Sequence, residues 1–587
     1  VRNKTSLYLL LTAVICAGAA AAYLQAPSHA EPPHADPTAL FDPAIIARSM
    51  CGGGNLSLGM FSSAAAAETP PSKRLWPGLG AHSFKVTTQS AEAQAYFDQG
   101  LRLVYAFNFG EALASFRAAQ EHDPSCALCF WGEGFALGPN LNAAMPAGNA
   151  APAWAATKKA ADLAPSTTPL ERALIAALAE RYSSDPTHRR EPLDTAYADA
   201  MYRVYQLFGD DPDVATLHAD AALYESRTTG WWINNGRLPT PRAAAALVAL
   251  ERALKLAPDH AGAIHYYIHA MDSSTRPERA EPFAEKLAQL MPGAGHIVHM
   301  PAHIYFRRGR YIEALDSNIA ALKVDDAYLA QINSADGVYR HQLYAHNLHF
   351  AVAAAGMAGD RVNATSLALR LEEFLSRGAI ERPDMYAAAA LHPRVRFAAP
   401  EEIRDLPEPP AQAPYLRGIW LYARGSAHVY AGDLLAARAS VDALARLRQD
   451  TRLEDLLRSY IRAPHILLLA EEVVRGRIAA HERRWDDSFK HFAAAAAIQD
   501  QVRGFDPPAW DFPVRQSLGI ALLKAGRAED AATVLREALM EAPHNGVVLY
   551  ALIQAAIETQ DETAAAAYRK LYERAWRGDR APDLDRF

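Results

Sequence analysis

"YFDQGLRLVYAFNFGEALASFRAAQEHDP", residues 96–124, decides the fold. Tyr96 is followed by Gly100, then by Ala112, Phe116 and Ala119, and the stretch closes on Pro124. Small residues at these spacings let two antiparallel helices approach closely, and the proline ends the second helix before another begins. Gly134 follows Gly100 by 34 residues, and "ALERALKLAPDH" and "AEKLAQLMPGA" close on Pro258 and Pro292, again 34 apart. "IYFRRGRYIEAL" repeats the turn at Gly309, Tyr311 and Ala314. Later copies place Gly425 and Gly432, then Gly519, Gly526, Ala531 and Pro543.

A helical pair recurring every 34 residues is the tetratricopeptide pattern. The chain therefore reads as all-α, a tetratricopeptide-repeat (TPR) superhelical solenoid of roughly ten helical hairpins. Composition agrees: half of the 587 residues are hydrophobic and alanine runs are frequent, which favours close-packed helices. Acidic residues outnumber basic ones, 66 to 59, and no basic block stands out, which argues against nucleic acid as a partner.

Residues 1–30 read as a signal peptide: a short basic start, the apolar run "SLYLLLTAVICAGAAAAYL" and "PSHA" before Glu31. An uncleaved N-terminal anchor is the alternative, since about 18–20 apolar residues suffice to span a bilayer. The expected product is exported, to a periplasm, with no membrane insertion beyond that segment. Residues 31–90 show no period and read as an irregular N-terminal arm. An N-terminal TPR lobe is expected over 91–380, a Pro-rich linker over 381–414, a C-terminal lobe over 415–577 and a tail over 578–587.

The chemistry concentrates in histidines. Nine of the 21 lie between residues 260 and 349. His265 and His299 are 34 apart, as are His269 and His303, so each pair holds the same place on the first helix of consecutive units. Aligning Gly359 on Gly309 places His346 and His349 where His296 and His299 sit. Spacings of three and four share a helix face, and helices in contact lie about 8–10 Å apart, so these seven imidazoles could converge on a transition metal (Cu, Zn or Fe). Pro301 favours a helix start, which would leave His296 in the preceding turn. There is no HExxH motif; Asp272 and Tyr305 are the nearby acid–base candidates. An imidazole-lined pocket for an anionic or peptide ligand is the competing reading.

"HDPSCALCFWGEG" offers His122, Cys126 and Cys129, either as a local disulfide or as a second metal site. Phe130 stands where a covalent haem motif needs His, and Cys51 leaves an odd thiol.

The segments "GLGAHSFKVTTQSAEAQAYFDQGLRLVYAF", "APDHAGAIHYYIHA", "GAGHIVHMPAHIYFRRGRY" and "PPAWDFPVRQSLG" resemble exported bacterial tetratricopeptide proteins with His-rich repeats, over most of residues 78–577. The resemblance implies a solenoid whose first-helix face lines a concave ligand groove. Two functions follow as expectations: a metal held in that groove for catalysis or metal handling, or a non-enzymatic scaffold for a peptide or protein.

Overall fold

The computed structural model describes residues 74–587 except 186, 228–229, 235, 333–338, 377–382, 456–461 and 503–506. The expected signal segment, Cys51 and most of the arm lie outside the described residues.

The described chain is an all-α tetratricopeptide superhelix. Its first hairpin is α1 (Ala91–Tyr105) with α2 (Phe109–His122). Further pairs include Ala127–Ala136 with Ala150–Leu163 and Pro212–Ser226 with Pro241–Leu256. The His-bearing units follow: α3 (Ala261–Asp272) packs on Glu281–Leu290, then α4 (Gly295–His299) and α5 (Pro301–Arg307) pack on α6 (Tyr311–Ile332), and α7 (Ala345–Ala358) on Arg361–Ser376. Late hairpins include Ala463–His481 with Trp485–Gln501 and Gly546–Glu558 with Glu562–Ala575. A two-stranded ribbon, Trp232–Ile233 with Leu238–Pro239, occupies one inserted loop.

Local chemistry sets the hairpins. Side-chain oxygens cap helix starts at Ser90 and Asn108, accepting from the amides of Ala93 and Glu111. Between paired helices the chain turns through a left-handed residue, glycine at Gly309 and Gly359 (φ +73° in both). In the first hairpin that position is Phe107, with φ +57°. Gly100 and Gly132 both face the Phe116 ring, and a Cβ on either would overlap it. Phe116 is thus the wedge around which the first units close.

The superhelix folds back on itself. Helix α1 packs against α3, where Gly262 lets the Tyr105 ring approach. Residues 74–90 brace the same region, with the Gly293 amide donating to the Gly78 carbonyl at 2.7 Å. At the other end, the Arg577 amide donates to the Ala358 carbonyl at 2.8 Å and Arg577 pairs with Asp316. Residues 578–587, expected as a tail, contribute Phe587 to a core, and the Arg586 carbonyl accepts from Tyr430 Oη.

The stretch expected to separate two lobes carries short helices, Pro383–Ala389, Leu391–Phe397 and Pro400–Arg404, which pack on neighbouring long helices. Pro383, Pro400 and Pro414 open helices, where no amide is lost, while Pro407, Pro409 and Pro410 lie in the connection between two of them. The hydrophobic cores divide elsewhere, within α5 and again near residue 520. No helix among the described residues is long and apolar enough to cross a membrane.

Gly132→Ala should destabilise the protein by about 1–3 kcal/mol through overpacking against Phe116. Phe116→Leu in the same chain should recover part of that loss; urea denaturation of the two single variants and the double variant measures it.

Candidate metal centre

The histidines assemble where the two larger cores meet. Helix α3 carries His265 and His269, α4 carries His296 and His299, α5 carries His303, and α7 carries His346. Pro301 does not displace His296. The break falls at Met300, whose backbone stays helical, so α4 and α5 run on with His296, His299 and His303 on the buried side.

Six imidazoles form two groups of three. His265, His269 and His296 make the first and His299, His303 and His346 the second; in each, one nitrogen from every ring lies within 4.8 Å of the others. A metal holds imidazole nitrogens at about 2.0–2.1 Å, so small side-chain rotations would close either group around an ion. The groups adjoin, with His296 and His299 ring centres 5.7 Å apart and those of His269 and His303 5.8 Å apart.

Neighbours fix the tautomers. The Asn318 amide nitrogen donates to the Ala314 carbonyl at 2.7 Å, which makes Asn318 Oδ1 the acceptor for His299 Nδ1, also at 2.7 Å. His299 Nε2 is then a lone pair, and it faces His303 Nε2 at 2.9 Å. His265 Nδ1 donates to the Tyr105 carbonyl at 2.6 Å, leaving its Nε2 buried without a hydrogen bond. His269 Nε2 and both ring nitrogens of His296 are likewise buried and unbonded. Asp272 Oδ2 lies 3.5 Å from His303 Nδ1.

Burial holds five of these rings neutral. It brings His265 down to about 3, against the Tyr105 hydrogen bond that favours its charged form. Burial, then repulsion from neighbouring imidazoles, pushes His269, His296, His299 and His346 well below the ordinary value. Two phenylalanines close the ends. Phe107 stacks on His269 and His296 with ring centres 5.5 and 5.4 Å apart, and Phe350 packs on His299 and His303 at 5.2 and 5.0 Å.

Several expectations need correction. The histidines do not line an open groove: His265 is 0% exposed because α1 and the Phe107 turn lie over it, and His299 is 0% exposed because α7 brings His346 and Phe350 against it. His349 leaves the cluster. Its helix is buried on every side, and its ring turns to Tyr386 and to a small cavity shared with His392, Tyr415 and Asp511. Tyr305 turns away too, lying beneath the Arg310 guanidinium, while burial pushes its hydroxyl up. Of the two readings of Cys126 and Cys129 the disulfide is the one found, so only the metal alternative falls: the sulfurs are not available to an ion, and His122 stacks on Tyr96.

Sequence reasoning missed two sites. Asp213 Oδ1 accepts from Tyr105 Oη, His82 Nε2 and His260 Nε2 at 2.7, 2.9 and 3.1 Å. Burial pushes the Asp213 carboxyl up, but the two histidine hydrogen bonds prevail and hold it below the usual carboxylate range. The Ala263 amide donates to His260 Nδ1, so this trio is a satisfied clamp with no spare lone pair on His260. The second pairs His392 Nδ1 with Asp511 Oδ1 at 3.6 Å. No spacing signal links such distant residues.

The tetratricopeptide repeat family matches residues 522–572. No curated protein matches the chain. Similar solved structures include the human IFIT1 dimer with PPP-AAAA (12% identity, covering 83% of this chain and 90% of that one, TM-score 0.30). Yeast Tom70 is similar at 12% identity, covering 83% and 92%, TM-score 0.29. The APC/C hetero-tetramer Cut9–Hcn1 is similar at 12% identity, covering 84% and 78%, TM-score 0.28. Overlap this loose says nothing about a site or a ligand.

Neutral buried imidazoles set an acid limit on the metal-free fold. Unfolded histidines titrate near 6.5 and the folded ones well below, so the unfolded chain binds more protons in that interval. Their stabilising contribution is present above about pH 6.5 and is lost as pH falls, by up to about 1.4 kcal/mol per pH unit per imidazole. The urea midpoint of metal-free protein should drop steeply from pH 7 to 5; a flat midpoint would contradict the burial.

Proposed function

We propose that the protein is a metal-binding tetratricopeptide protein holding up to two transition-metal ions, one in each three-histidine group. One observation carries the reading: His265 and His299 each commit Nδ1–H to a fixed acceptor and turn an Nε2 lone pair into the buried imidazoles, unbonded at His265 and facing His303 Nε2 at His299. Orientation of a ligand ring by a hydrogen bond from its far nitrogen is the usual support of a metal site. An all-nitrogen donor set suits Zn, Cu or Fe. Asp272 would orient His303 from its second nitrogen. A bound ion would supply Lewis-acid or redox chemistry. Complete burial argues for a resident ion over rapid handover, which favours metal-dependent chemistry over metal handling.

The N-terminal apolar run and the Cys126–Cys129 disulfide support an exported, oxidising location, a periplasm. A second reading, a scaffold that binds a peptide or protein, draws on the repeat match at residues 522–572. The buried histidines would take no part in it.

Elemental analysis of tag-free protein reconstituted with Cu, Zn or Fe tests the proposal. Up to two ions per chain are expected. His265→Ala should remove one, His346→Ala the other, and the double variant both, with far-UV circular dichroism unchanged. His349→Ala should keep both ions, since it lies in a different cavity. Failure of the wild type to retain any metal would sink the reading.

A further inference from the structure

A cavity of about 330 Å³ lies directly beside the histidine cluster. Ala106 and Asn108 line it, while Phe107 between them stacks on the imidazoles. Ala294 lines it two residues before His296. One wall is a run of aromatic rings, Trp76 to Tyr328 at 5.2 Å and Tyr328 to Tyr339 at 5.0 Å, each pair edge to face. Their polar ends are already engaged. Trp76 Nε1 and Tyr328 Oη donate to Glu111 at 2.9 and 3.4 Å, and Tyr339 Oη donates to Asp325 at 2.7 Å. What remains for the cavity is π surface, with Leu79 and Ala327 beside it.

Size and charge narrow the occupant. An apolar cavity of about 150 Å³ takes benzene, so this one has room for a bicyclic or substituted ring. Among the described lining residues only Lys323 is charged, and it is exposed. We propose that the cavity binds a small mono- or bicyclic aromatic molecule with one anionic group, its ring against Trp76, Tyr328 and Tyr339 and its anion toward Lys323. The ring would then sit against the backbone of the Phe107 turn, next to the first three-histidine group. Its role as a substrate chamber rests on the metal-centre reading; its capacity to bind the ring does not.

Titration calorimetry with 1-naphthoate on metal-free, tag-free full-length chain tests this, with metal uptake measured on the same preparation. Saturable one-to-one binding is expected. Ala327→Phe places a ring in the cavity from an exposed helix position, so folding should survive while affinity falls at least about tenfold. Lys323→Met should weaken 1-naphthoate about threefold to fivefold, the scale of one exposed charge pair, and leave uncharged 1-naphthol unchanged. No saturable binding by the wild type, or equal binding by Ala327→Phe, would overturn the site; equal weakening of both ligands by Lys323→Met would overturn the anionic specificity. Naphthoate binding without metal uptake keeps the binding site and removes the substrate role. Metal uptake without naphthoate binding keeps the metal centre and overturns the chamber.

Discussion

Six imidazoles packed together inside a helical core are the constraint on which the rest of the structure turns. A buried polar atom without a partner costs about 1–3 kcal/mol, and leucine or phenylalanine would fill the same space without that penalty. His265, His269 and His296 all leave ring nitrogens unbonded in the fold. Coordination satisfies such lone pairs together, and neutral rings are the form a metal requires. The surroundings support that use: Asn318 and the Tyr105 carbonyl fix two tautomers, and Phe107 and Phe350 exclude water at either end.

Closure of the superhelix turns a repeat into a site. Helical period alone would array the histidines along one face, open to solvent. Packing α1 onto α3 covers that face, and Tyr105 joins the two. Its carbonyl holds His265 while its hydroxyl reaches Asp213 in the His82–His260 clamp. Gly262 is what allows this approach, since a Cβ there would overlap the Tyr105 ring. The clamp ties the N-terminal arm, the first hairpin and Pro212–Ser226 to the same point, so order in the arm and burial of the histidines are linked.

This division explains what was legible beforehand. The 34-residue register identified His265 with His299 and His269 with His303, and the Gly359 alignment found His346, because repeat geometry copies positions on a helix. It failed at His349 because every residue of α7 is buried, so an i+3 neighbour can serve a different cavity. Tyr305 lies two residues from His303, about 200° around the helix, and so leaves that face. The open groove was wrong for a non-local reason: the covering hairpin comes from about 160 residues earlier. His82, Asp213 and His260 converge from three distant segments, which periodicity cannot connect.

Phe107 shows how far the first hairpin departs from its own repeat to serve the site. Later hairpins use glycine at this turn, as at Gly309 and Gly359, where the left-handed backbone costs nothing sterically. Arg483 and Gln560 adopt it as well, but on the surface, with side chains free to extend into water. Phe107 is buried, and the conformation costs on the order of 1–2 kcal/mol for a residue with a Cβ. Glycine would relieve that strain, but it would also delete the ring that lies on three imidazoles and open the histidine group toward the adjoining cavity. The strain is therefore best understood as the local cost of a partition, placed by a hairpin turn where the repeat would otherwise leave a hole beside its polar core.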